Sequence, residues 1–274
     1  MTDRHSLFQS LHVKGAAFVI PNPWDMGSAR VMAAMGAQAL ATTSSGFAFT
    51  QGLPDDGSIT RDQALAHAED IVAATSLPVS GDLENGFGES PDDVVETVKG
   101  AAEIGLSGCA IEDTALPTMD AYDFELAVER IKAGVAAARA LSRPFMLCAR
   151  ADGYLTKAYD ADEALRRIAA FDAAGADVLY APTLKEADLA RMVAATETPV
   201  NALAHNRNTD IPRSRYKDMG VARISIGGAM MRTMVATIHD TTKAILNDGD
   251  FSGLAPGATV DVEALLAKGA SSPE

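Results

Sequence analysis

Eight short apolar runs, each followed by a longer Ala-rich stretch, set the strongest constraint on how this chain can fold. The runs are residues 16–21, 39–44, 78–83, 108–112, 145–149, 176–180, 200–203 and 223–226. Each is too short for a stable helix and too uniformly apolar for a half-exposed strand, so they read as buried strands. Amphipathic helical stretches lie between them, among them 61–74, 91–104, 122–140, 161–174 and 184–195. Gly36, Gly105, Gly175 and Gly220 each fall shortly before a run, where glycine ends a helix by entering the left-handed region. Ser90, Asp160 and Thr183 stand at expected N-cap positions. Eight strand–helix units in one chain predict an α/β protein, a (β/α)8 TIM barrel. A doubly wound open sheet would place a glycine-rich phosphate turn after its first strand, and Asn22-Pro23-Trp24-Asp25 stands there instead. Residues 1–247 read as one catalytic barrel domain. Residues 248–274 read as a C-terminal tail, either a surface segment or an oligomer contact.

In such a barrel, chemistry gathers at the C-terminal ends of the strands. Six of those ends are polar here. The first gives Asn22, Trp24 and Asp25, and the second Thr43, Ser44, Ser45 and Gly46. The third gives Asp82 and Glu84, the fourth Glu112 and Asp113, the fifth Arg150 and Asp152, and the seventh His205 and Asn206. The third strand ends in its acids and then breaks on Gly86 and Gly88; the fourth repeats the acid ending one unit later. Two adjacent parallel strands would aim these carboxylates from one rim, where they repel unless a cation joins them. Hard oxygen donors suit Mg²⁺, with Mn²⁺ as the alternative. Arg150 is either a structural ion pair with Asp152 or Glu112, or a fork for a substrate carboxylate. Ser44-Ser45-Gly46-Phe47 is either a simple turn or a backbone cradle for an anion. His205 reads more readily as a hydrogen-bonded structural residue than as a substrate contact.

The net charge of −14 argues against nucleic acid or an anionic membrane as partner. An anionic small molecule would then need a local cation. The two cysteines, Cys109 and Cys148, sit in apolar runs and read as core residues of a reducing compartment. The N-terminus has no apolar signal core and no run reaches membrane-spanning length, so a cytoplasmic, soluble protein is expected.

Taken in order, Asn22-Pro23-Trp24-Asp25, Thr43-Ser44-Ser45-Gly46, Asp82-x-Glu84-x-Gly86-Phe87-Gly88, Gly108-x-x-Ile111-Glu112-Asp113 and Ala149-Arg150-x-Asp152 resemble the isocitrate lyase / phosphoenolpyruvate mutase superfamily. The resemblance covers residues 16–228. It implies a barrel whose last helix is exchanged between subunits, giving homodimers or homotetramers. It implies Mg²⁺ and substrates bearing a 2-oxo or 2-hydroxy carboxylate. By motif, Asp82, Glu84 and Glu112 would hold Mg²⁺, mostly through waters. Trp24 and Asp25 would line the floor; Ser45, Gly46 and Phe47 would bind the substrate carboxylate; Arg150 would hold the oxyanion or a carboxylate. Asp55 matches a family aspartate after the second strand; either it or a Mg²⁺-bound hydroxide is the candidate base for cleaving a 2-hydroxy diacid. The loop Thr114-Ala115-Leu116-Pro117-Thr118-Met119-Asp120 lacks the Lys, Cys and His of the lyase signature and the Lys or Asn of the phosphonate branch. Pro182 replaces a lyase glutamate.

The reading that survives these departures is a Mg²⁺-dependent carbon–carbon lyase or decarboxylase acting through an enolate. Its substrate would be a small 2-oxo or 2-hydroxy dicarboxylate, oxaloacetate-like or methylisocitrate-like. Phosphonopyruvate or phosphoenolpyruvate P–C mutase or hydrolase chemistry is the first alternative. A keto-acid-binding barrel without turnover is the second.

Overall fold

The computed structural model describes residues 3–270; residues 271–274, the end of the tail, lie outside the described residues. Its strands are β1 (Phe18–Ile20), β2 (Leu40–Ala41), β3 (Val79–Asp82), β4 (Gly108–Glu112), β5 (Met146–Arg150), β6 (Val178–Tyr180), β7 (Val200–Leu203) and β8 (Arg223–Ser225). All neighbours pair in parallel in the order β1-β8-β7-β6-β5-β4-β3-β2. At the remaining seam the Ala41 N–H donates to the Pro21 carbonyl at 3.1 Å. Asn22 ties the same seam: its amide donates to the Thr42 carbonyl at 3.1 Å and its oxygen accepts from the Ile226 and Gly227 N–H groups at 2.9 Å. The ring is nearly closed, and the chain is a (β/α)8 TIM barrel.

The helices are α1 (Arg4–Leu11), α2 (Met26–Ala34), α3 (Ser44–Thr50), α4 (Arg61–Ala74), α5 (Pro91–Glu103), α6 (Phe124–Arg139), α7 (Gly153–Thr156), α8 (Ala161–Ala173), α9 (Glu186–Ala194), α10 (Arg213–Met219), α11 (Ala229–Asp248) and α12 (Val262–Gly269). Local chemistry sets their ends. Ser90 and Asp93 form a capping box at the start of α5, with Pro91 in its first turn, and Asp160 caps α8 through the Glu163 N–H. Gly105 and Gly175 leave their helices at φ 87° and 91°. Two expectations are corrected. The second strand stops at Ala41, because Thr43 accepts from the Gly46 N–H and turns residues 44–46 into the first turn of α3. Thr183 caps nothing: it sits at φ 61°, and α9 begins after Lys185 with no side-chain cap.

Ala41, Ala110, Cys148, Tyr180 and Leu203 fill the barrel interior, and Phe8 of α1 closes its lower end against Phe18 and Ile20. His12, just after α1, is buried there. Its Nδ1–H donates to the Phe8 carbonyl at 2.8 Å, which leaves Nε2 to accept from Arg223 at 3.2 Å. Burial, then the charge of Arg223, pushes its pKa down to about 3, so this plug is neutral. Cys109 and Cys148 are buried free thiols.

The C-terminal part of the chain packs differently. Helix α11 is 20 residues long, yet Met231 is its sole buried residue. Ile238 and Leu246 are 52% and 76% exposed on it. Helix α12 turns back onto α2, where Gly269 lies against the Arg30 carbonyl with no room for a Cβ. Among the described residues no helix is long and apolar enough to cross a membrane.

Candidate active site

Strand parity decides which side chains enter the barrel mouth. Ala110 and Cys148 point inward, so Glu112 and Arg150, two residues on, do the same. Tyr180 and Asp82 join them on the neighbouring strands. Asp113 falls one position later and turns outward, toward α8. The result is two adjoining chambers that share Ser44, Asp55, Arg150 and Leu155 as walls. The inner one, about 420 Å³, also presents Ser45, Asp82, Tyr180, Asn201, His205, Arg223 and Arg232. The outer one, about 340 Å³, presents Glu84, Glu112, Asp152, Leu116 and Met119.

Arg150 stands between the chambers, enclosed by acid. Its Nη1 donates to Asp82 at 2.6 Å, its Nη2 lies 3.2 Å from Glu112, and Asp152 takes a two-pronged contact at 2.9 and 2.6 Å. The Tyr180 ring lies 5.3 Å from the guanidinium. Burial works against its charge, but Asp152, Asp82 and Glu112 outweigh that and hold its pKa well above the usual value. The structural ion pair expected from sequence is present, and it includes Asp82 as well as Asp152 and Glu112. A layer behind fixes the clamp. Asp113 accepts from the Asp152 N–H at 2.7 Å, from the Tyr159 hydroxyl at 2.8 Å and from Arg167 at 3.0 Å, and Arg167 also binds Glu163 at 2.9 Å.

Glu84 is the contrasting acid. The residue is 6% exposed, and its carboxylate opens on the outer chamber with no hydrogen bond or ion pair among the described residues. Burial, then Asp82 and Asp55, raises its pKa to about 8. Its backbone sits at φ 48°, a conformation that costs a non-glycine residue about 1–2 kcal/mol. Surrounding contacts impose it. The buried Arg130 donates to the carbonyls of Asn85, Gly88 and Ser90, Arg61 and Thr97 hold the Gly86 carbonyl, and the Glu112 N–H donates to the Glu84 carbonyl at 2.9 Å. Glu112 accepts from Thr114 at 2.8 Å; its pKa is raised well above the ordinary value by burial first and Asp152 next. Asp55 opens to solvent on one side but is crowded on the others. That desolvation, then Asp82, raises its pKa, while Ser44, Arg150 and Arg232 counter it.

The structure thus brings together Asp55, Asp82, Glu84, Glu112, Arg150, Ser45 and His205. Trp24, Asp25, Gly46 and Phe47, expected at the substrate, line neither chamber. Asp25 caps α2 through the Ser28 N–H at 2.6 Å. The Trp24 carbonyl accepts from His67 at 2.9 Å, and Phe47 stacks on the same imidazole with 4.0 Å between centroids. Gly46 lies against Trp24 and Thr43, where a Cβ would come within 2.7 and 2.6 Å of them. Trp24, Gly46 and Phe47 pack together behind the chamber, and Asp25 is an exposed cap. Nor do Asp82, Glu84 and Glu112 form a closed ligand set among the described residues; Arg150 occupies the space between Asp82 and Glu112. The sequence reading missed Arg232, Arg223 and Asn201. Of these, Asn201 and Arg223 followed from strand parity, since each precedes an inward residue by two.

A family model described as phosphoenolpyruvate phosphomutase matches residues 8–246. The chain belongs to this family. It is therefore a member of the isocitrate lyase / phosphoenolpyruvate mutase superfamily. A solved structure from Burkholderia cenocepacia J2315, assigned provisionally as a lyase/mutase, is 42% identical with a TM-score of 0.89, over 96% of this chain and 94% of that one. An uncharacterized protein of Mycobacterium tuberculosis is 32% identical over 248 residues, 89% of this chain and 90% of the relative. The 2,3-dimethylmalate lyase of Eubacterium barkeri is 32% identical over 170 residues, 59% of this chain and 57% of the relative.

Proposed function

We propose that this family member is a Mg²⁺-dependent enzyme, a lyase or decarboxylase, that breaks a carbon–carbon bond beside a 2-oxo or 2-hydroxy carboxylate through an enolate. One observation carries the reading: Glu84 is a largely buried residue in strained backbone whose carboxylate opens on the outer chamber without a hydrogen bond, beside Asp82, Asp55 and Glu112. Arg150 is the bonded counter-ion of three acids, and Glu84 is not among them. A carboxylate partly desolvated and crowded by other acids is costly to ionise, and a divalent cation removes the cost. Asp82, Glu84 and Glu112 would hold Mg²⁺ in part through water, which does not require a closed protein ligand set. Bound there, Mg²⁺ supplies Lewis acidity toward the substrate's 2-oxygen.

The chain's own groups do the rest. Arg150 faces both chambers and donates to the oxygen on which charge develops. Ser45 offers its hydroxyl to the carboxylate in the inner chamber. Asp55, with its raised pKa and access to both chambers, takes the hydroxyl proton when a 2-hydroxy acid is cleaved. Decarboxylation needs no such base. Leu116 and Met119 bring apolar surface and no acid from the β4 loop, so solvent supplies the final proton.

The test is turnover. Metal-free protein incubated with a panel of 2-oxo and 2-hydroxy dicarboxylates should release pyruvate or glyoxylate only after Mg²⁺ is added. Neither product from any acid would sink the proposal. We also infer that a second copy of the chain covers the apolar outer face of α11 by exchange, giving a homo-oligomer. Light scattering that returns the mass of one chain removes that part.

A further inference from the structure

A guanidinium deep in the barrel faces the inner chamber without an acid beside it. Arg223 on β8 is 4% exposed, and what it shows lines that chamber. Its Nε donates to the Asn201 side-chain oxygen at 2.9 Å and its Nη1 to His12 at 3.2 Å, and both partners are neutral. Its Nη2 makes no hydrogen bond among the described residues, yet packing does not seal it off, so it opens on the chamber. No carboxylate pairs with Arg223 among the described residues; Asp82, Glu112 and Asp152 all go to Arg150. Strand β8 is the fourth one round from β4, so Arg223 lies across the barrel from Glu112. Ala41, Ser80, Ala110 and Ser225 are small, and they leave room where such barrels are ordinarily filled by bulky branched side chains.

An arginine keeps its charge inside a protein, where a lysine can shed its proton. A buried charge that meets only neutral groups is costly, and an opposite charge beside it offsets that cost. The chain supplies none at Arg223, although its net charge is −14. We propose that Arg223, with Asn201 at its side, forms a binding site for one small monovalent inorganic anion, a halide or bicarbonate, on the floor of the barrel chamber. One guanidinium balances one negative charge. The ion is small because it shares the floor with the Tyr180, Asn201 and Leu203 side chains. It is a resident of the fold, separate from substrate, and depends neither on Mg²⁺ nor on turnover. Because it binds the folded chain alone, it stabilises by mass action.

The test uses the full-length, metal-free protein in sodium gluconate, whose anion is too bulky for the floor. Chloride or bicarbonate replaces gluconate at constant pH and ionic strength, and the thermal midpoint and the chloride NMR line width are followed. At roughly tenfold excess over Kd the wild-type midpoint should rise by about 2–5 °C. Bound chloride should also broaden its signal. Two substitutions remove the site by different routes. Arg223→Gln deletes the cation. Asn201→Asp keeps the shape and sets a carboxylate on Nε as a built-in counter-ion. Both should abolish the midpoint shift and the broadening, and Asn201→Asp decides the matter even if Arg223→Gln does not fold. Whichever anion acts at the lower concentration is the occupant. A wild type indifferent to both anions overturns the inference. A response retained in Asn201→Asp overturns it too, because the ion then sits elsewhere. So does loss of the response on adding oxalate with Mg²⁺, because the floor then belongs to the substrate.

Discussion

Arg150→Gln should lower the stability of the metal-free protein by about 3–5 kcal/mol and reduce turnover by about a hundredfold or more. The stability loss follows from what remains. Asp82, Glu112 and Asp152 all bond to this guanidinium, and each is at most 19% exposed at its side chain. Without it they share a confined space as uncompensated charges, and the cheapest escape is to take up protons. Protonating an aspartate of ordinary pKa at pH 7 costs about 4 kcal/mol, which sets the scale. Arg150→Lys keeps the charge but loses the two-pronged contact with Asp152, so its stability should fall between the two. Adding Asp152→Asn to Arg150→Gln should restore part of the loss, because it removes one of the stranded acids. Urea denaturation without metal measures all four proteins. If Arg150→Gln unfolds at the wild-type midpoint, Arg150 is not the counter-ion of this cluster.

The barrel was legible because strand, helix and cap signals agreed from unit to unit. The strand ends were legible for the same reason: Asp82, Glu112 and Arg150 close their strands on an inward parity. What the sequence hid were contacts between distant segments. Strand parity turns Asp113 outward, but nothing near it in the chain names Tyr159 and Arg167 as its partners. Trp24 looked like a pocket residue because it stands beside a strand end. Its neighbour Asp25 caps α2, and that turn leaves Trp24 against Gly46. Thr43 ended a strand that its apolar neighbours prolonged, because its hydroxyl was needed at the start of α3. Arg232 was hidden most completely. It lies seven residues past the end of β8 (residue 225), and only the seating of α11 on Ser45 brings it into the chamber.

Glu84→Gln should move stability and activity in opposite directions. In wild type the Glu84 carboxyl is partly desolvated and crowded by Asp82 and Asp55, and its folded-state pKa of about 8 lies above the unfolded value near 4.5. Between those values the folded state holds a proton that the unfolded chain has released. The resulting penalty is absent below the unfolded pKa, grows as pH rises, and levels off above the folded pKa. Glutamine keeps the shape of the protonated acid and does not titrate. Metal-free Glu84→Gln should therefore be more stable than wild type at pH 7 by roughly 1–3 kcal/mol, and the gap should close by about pH 4.5. Mg²⁺ should reverse the order. It offers the wild-type carboxylate the partner it lacks and stabilises by mass action, whereas the variant has no charge to offer it. Turnover should fall by about a hundredfold or more, since the stabilisation of developing charge is lost. Thermal unfolding across pH, with and without Mg²⁺, reads both effects. A variant less stable than wild type without metal would mean that Glu84 has a partner in the fold. Equal stabilisation of both proteins by Mg²⁺ would mean that the ion binds elsewhere, and the strained, unpaired acid would then need another explanation.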